Sequence, residues 1–135
     1  SHNRLIGDTT SGVDSHEYRY EYDFNNNLTL STESGCTTTN IYDSANRLVS
    51  SICGNEVNTY SYDSDGNLIL VIVGPNKAFI TMQYDDDNKL TLYSDPNTIA
   101  TYVYSGDGRK VLEITNGTVT RLVWDGDDII GEIVE

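Results

Sequence analysis

Apolar and polar residues alternate along most of this chain with a period of two. Tyr60 and Tyr62 sit two apart, and so do Leu68, Leu70 and Ile72 beyond them. Residues two apart share one face of a β-strand. No window shows a convincing helical period of 3.6. Between the two apolar runs lies Asp63-Ser64-Asp65-Gly66-Asn67. There the Asp side chain can accept a bond from the backbone two residues on, and the Gly takes the positive φ that closes a short loop. The stretch predicts one β-hairpin, with Tyr-x-Tyr and Leu-x-Leu strands placing aromatics and aliphatics on one face.

The same pattern recurs. The aromatic before the turn falls at Tyr22, Tyr42, Tyr62, Tyr84, Tyr104 and Trp124, at spacings of 20, 20, 22, 20 and 20. Asn26 and Asn46 stand where Gly66 stands, and Asn tolerates positive φ better than most residues. Further turns near Gly35, Gly54, Gly74 and Asn116 would link one unit to the next. The prediction is an all-β array of antiparallel β-hairpins with a 20-residue period. It forms one strongly curved or spiralling sheet, and about 12 strands suffice to close such a sheet like a barrel. Residues 18–135 carry six units. Residues 1–17 read as an N-terminal tail and the end of a truncated repeat, with Asn3 to Gly7 resembling the tail of one more unit. Cross-strand pairs of aromatics and aliphatics should form an extended seam rather than a globular core.

One hairpin departs from alternation. From Leu68 to Val73 every residue is apolar, and Ala78, Phe79 and Ile80 lie opposite. Such a hairpin is expected to be covered on both sides, over Ile69, Val71 and Val73 as well as beneath. That apolar hairpin and two free sheet edges together predict self-association.

The net charge of −13, from 8 basic and 21 acidic residues, argues against a nucleic-acid partner, because such binding needs Lys and Arg to neutralise phosphates. Much of the acid lies in turns, at Asp85 to Asp87 and Asp125 to Asp128. No apolar run reaches the length of a transmembrane helix. Catalytic chemistry is not readable. His2 and His16 lack companions at metal-ligand spacing, and neither a nucleophile elbow nor a phosphate loop is present. Asp63 to Asn67 resembles half a calcium loop, but Leu-Ile-Leu-Val follows where an acid is required. The expectation is no catalytic, cofactor-binding or metal-binding residue, no cofactor, and no enzymatic activity.

Cys36 and Cys53 fall in the second unit. With Tyr42 opposite Leu48, counting outward sets Cys53 opposite Thr37, one residue short of Cys36. A single bulge would bring the thiols face to face. Without it they lie on opposite faces, since a one-residue slip reverses every side chain. A bridge would close a loop of about 18 residues, worth roughly 3 kcal/mol, and would suit an extracellular setting.

The run from Tyr60 to Leu68, YSYDSDGNL, resembles the YD repeat of the Rhs family, which includes Rhs, toxin-complex and teneurin-like proteins. Residues 102–132 resemble the repeats just upstream of the Rhs core, departing from the pattern at Ser105, Lys110, Val123 and Trp124. Asn40 and Met82 replace the first aromatic of two other units. The resemblance implies a strip of hairpins that, in large members, winds into a hollow shell around a C-terminal polypeptide, often a toxin. The family's core segment and its self-cleavage residues are not in this sequence. The resemblance therefore implies a non-catalytic scaffold, a segment of shell that encapsulates or presents another polypeptide. It would sit in a larger protein that is extracellular or at the cell surface. Its partners would be other YD repeats or the enclosed polypeptide. The alternative is a glycan- or cell-surface-binding module using exposed tyrosines and acids, with carbohydrate as partner.

Overall fold

A computed structural model describes residues 4–9, 17–33 and 35–135, with side chains from Tyr18 onward. His2 and His16 lie outside the described residues. The described residues form thirteen β-strands and no helix. The chain divides into two compact units, Ser1–Ser61 with Ile72–Lys77, and Tyr62–Val71 with Ala78–Glu135. The first contains β1 (Arg4–Thr9), β2 (Glu17–Tyr22), β3 (Leu28–Glu33), β4 (Cys36–Tyr42), β5 (Leu48–Cys53) and most of β6 (Glu56–Tyr62). β7 (Leu68–Val73) is divided between the two. The second holds β8 (Ala78–Tyr84), β9 (Leu90–Ser94), β10 (Ile99–Tyr104), β11 (Lys110–Thr115), β12 (Thr118–Asp125) and β13 (Asp128–Val134). The strands follow one another in chain order in a single sheet that ends at β1 and β13, so it is open and not a closed barrel. β1 pairs with β2 from Arg4↔Tyr22 to Thr9↔Glu17. No helix among the described residues is long and apolar enough to cross a membrane.

A bulge recurs beside the turn. Tyr22 pairs with Leu28 but Glu21 pairs with Leu30, leaving Thr29 extra. Val49, Thr91, Val111 and Ile130 are the extra residues in the hairpins β4–β5, β8–β9, β10–β11 and β12–β13. The bulge corrects one expectation. Leu28 lies opposite Tyr22, whereas Leu30 lies opposite Glu21, so these leucines are on different faces. Leu90 and Leu92 repeat this, opposite Tyr84 and Gln83. One inserted residue reverses the alternation that strict spacing implies.

The register still gathers the aromatics. In the first unit Tyr18, Tyr20, Tyr22, Tyr42 and Tyr60 share a face, linked through Tyr20↔Ser31↔Thr38↔Cys53 and Ser51↔Asn58. In the second, Tyr84, Tyr93, Tyr102, Tyr104 and Trp124 do so. Burial on β4 alternates accordingly, with Thr37, Thr39 and Ile41 exposed and Thr38, Asn40 and Tyr42 half-buried.

The seam is not a closed core. Among the described residues only Val71 (8% exposed) and Ala100 (2%) are buried apolar side chains. Ala100 lies between Tyr93 and Thr115 on the neighbouring strands. Cover on the apolar hairpin is uneven: Val71 is buried and Ile69 half-buried, whereas Phe79 is 54% exposed and Val73 is also exposed.

Cys36 and Cys53 form a disulfide, with their Cα atoms 6.2 Å apart. The bulge at Val49 moves Cys53 opposite Thr38, not Thr37. Cys36 is then two residues further along, diagonal to Cys53 and on the same face. The bulge makes the bridge by restoring parity, not by setting the thiols directly opposite, and the Cα spacing suits a disulfide.

Candidate functional site: the aromatic seam and its turns

Each five-residue turn is built around one acceptor. Asp23 Oδ1 accepts the backbone N–H groups of Asn25 and Asn27, each at 2.9 Å, while its Oδ2 accepts from Asn27 Nδ2. Asp43 and Asp63 do the same for residues two and four further on, with Arg47 Nε and Asn67 Nδ2 on the second oxygen. Asp85 accepts from Asp87 and Lys89. Ser105, which departs from the pattern, still accepts the Arg109 N–H at 3.2 Å. Asn26, Asn46, Gly66, Asn88 and Gly108 all take positive φ, from 61° to 92°. The expectation that Asn replaces Gly66 in this role is met at Asn26 and Asn46.

These bonds account for the half-calcium motif. Both oxygens of Asp63 accept from its own turn. No group of three or more His, Cys, Asp or Glu side chains placed to hold a metal ion occurs among the described residues. Donation by the turn amides stabilises the charged form. Asp63 and Asp23 are therefore held below the ordinary aspartate range, mainly by Asn67 and Asn27 respectively. Asp43 is lowered chiefly by the Arg47 amide. At the last hairpin, β12 and β13 are joined by only two residues, Gly126 and Asp127.

The aromatic tips latch one hairpin to the preceding one. Tyr42 Oη donates to the Leu28 carbonyl at 3.0 Å, Tyr104 Oη to the Leu90 carbonyl at 2.9 Å, and Trp124 Nε1 to the Lys110 carbonyl at 2.9 Å. Each donor lies 14 residues after its acceptor. Each acceptor is the residue paired with the aromatic before the preceding turn. Burial raises the Tyr42 phenol above its usual range, with Asp23 adding to the effect. Tyr84 is the exception. Its unit is two residues longer, and its hydroxyl reaches only Met82 Sδ, at 3.9 Å.

Cations and amides reinforce the latch. Lys89 stands over the Tyr104 ring and Arg109 over the Trp124 ring, at 5.8 and 5.7 Å from the centroids. Neighbouring turns are tied by Asn25 and Asn27 to Asn46, by Asn67 to Asn88, and by Arg109 to Asp127. The bulged Thr29 and Thr91 donate their hydroxyls to the Glu21 and Gln83 carbonyls. Sequence reasoning missed the latch, although its signal was available: Leu28 to Tyr42, Leu48 to Tyr62 and Leu90 to Tyr104 share one spacing. It missed the threonine bonds because nothing in the pattern marks the bulge.

Chemically, this arrangement holds backbone against backbone. Several polar tips of the seam are spent on carbonyls and carboxylates, as with Tyr93 on Asp95 and Tyr20 on Glu33. Compared with protein-family models and with curated proteins, the chain matches none.

Proposed function

We propose that this chain is a YD-repeat wall segment, a non-catalytic scaffold that encapsulates or presents another polypeptide. The observation that carries the reading is the seam itself. Its aromatics share a face in each unit, and Tyr42, Tyr104 and Trp124 latch to backbone carbonyls. Such residues build a surface rather than work on a substrate. A sheet with only two buried apolar side chains among its described residues is also suited to having something lie against it. The partners of this reading are further hairpins and the enclosed polypeptide, in a secreted or surface-exposed protein.

The test begins with the coding sequence on either side of this chain. The whole protein is produced and digested with a non-specific protease. The expected result is a C-terminal polypeptide that resists digestion in the intact protein and becomes sensitive when Tyr42→Phe and Tyr104→Phe loosen the wall. A freely digested polypeptide would overturn the proposal. A glycan array run on this chain covers the other class. Binding that disappears when the exposed Phe24 and Phe79 are replaced would favour a surface-binding module.

A further inference from the structure

The latch recurs on β3, β9 and β11, and its geometry offers a further acceptor at the end of the sheet. In β3, β9 and β11 the residue paired with the preceding aromatic offers its carbonyl to an aromatic donor of the following hairpin. Ile129 is paired with Trp124 and so occupies the same place on β13. β13 is the last strand of the sheet. Val119 and Glu135 exchange both backbone bonds, at 2.9 and 3.4 Å. In an antiparallel ladder such pairs alternate with pairs whose N–H and C=O groups point away from one another. Glu132 and Val134 therefore direct theirs to the open edge. Ile129, Ile130, Ile133 and Val134 are exposed along it.

We propose that this edge is a docking site for one further β-hairpin, whose strand pairs with β13 and whose Tyr or Trp donates to the Ile129 carbonyl. The proposal rests on the wall reading and names its neighbour by chemistry. Inside the sheet, Lys89 and Arg109 sit just before the acceptor and cover the incoming ring. Asp128 holds that position on β13, beside Asp125 and Asp127. A carboxylate does not stack on a ring's negative face. The incoming turn must supply the cation or amide itself, the reverse of the arrangement in which Asn25 and Asn27 of the preceding turn donate to Asn46. A second copy of this chain does not fit. The strands at its sheet ends, β1 and β13, contain no aromatic residue.

The probe is a disulfide-cyclised peptide with the sequence of residues 98–117, which contains Tyr104 and the Arg109 turn. It is titrated into the full ¹⁵N-labelled chain. Amide shifts should saturate and centre on Ile129, Glu132 and Val134. The peptide with Tyr104→Phe should bind about 2- to 12-fold more weakly, the range for one hydrogen bond. Glu132→Pro in the chain removes an edge donor without touching the bonds to β12, and should abolish binding while the remaining amides stay in place. Shifts centred elsewhere, equal affinity of the Phe peptide, or dimerisation of the chain through β13 would each overturn the proposal. Protease protection of the enclosed polypeptide in the whole protein is a separate readout, so the wall reading can stand where this inference fails.

Discussion

A tyrosine hydroxyl in this protein is a structural connector. Tyr42→Phe keeps the ring in the seam and deletes the bond to the Leu28 carbonyl. Urea denaturation should show a loss of about 0.5–1.5 kcal/mol. Tyr84→Phe should cost much less, since its hydroxyl meets only a thioether sulfur. Equal losses at the two sites would mean that the latch does not contribute. The turn acids set the pH dependence. Asp23, Asp43, Asp63, Asp95 and Asp107 are all held below the ordinary value of 3.8 in the folded chain. Unfolded, they take up protons first as the pH falls. Their stabilisation is complete at neutral pH and is lost as pH falls through 3.8 towards the lower folded values. The urea midpoint should therefore drop below about pH 4. A steady fall between about pH 7 and pH 5 would assign the effect to other groups.

At the scale of the element, the hairpin is a turn, a bulge and a latch acting together. The turn was readable because Asp, Asn and Gly have local reasons for their positions. The bulge was not, because an extra Thr, Val or Ile looks like any strand residue. Its effect is large: it reversed the leucine faces and decided the disulfide. The bridge spans 17 positions between Cys36 and Cys53. Closing a loop of that size is worth about 3 kcal/mol in the chain-entropy model. Reduction should lower the unfolding midpoint accordingly. Intact mass after alkylation under denaturing conditions should show no modified thiol until reductant is added. Two modified thiols without reductant would remove the bridge from the account.

At the scale of the molecule, contacts within each unit are made between consecutive strands, so stability should be close to a sum over neighbours. Deleting residues 118–135 removes β12 and β13 and should leave the remaining hairpins folded. The β-type circular dichroism per residue should persist, while the urea m-value falls with the surface no longer buried. Loss of all cooperative unfolding on that deletion would show that the array depends on its last hairpin as a whole.

The order of strands was legible in the sequence because each hairpin is local: alternation, an Asp-initiated turn and a positive-φ residue lie within one unit. The shared aromatic face was legible for the same reason, since Tyr-x-Tyr needs no distant partner to define its side. The exposure of Phe79 beside a buried Val71 was not legible, because an apolar side chain records a preference for cover and not whether cover exists. Nor was the open edge at β13, since closure depends on twist accumulated over many strands. The diagonal pairing of Cys36 with Cys53 also belongs to the tertiary structure. It turns on a one-residue register shift at Val49, and neighbouring registers of a strand pair differ in sequence terms by almost nothing while presenting opposite faces.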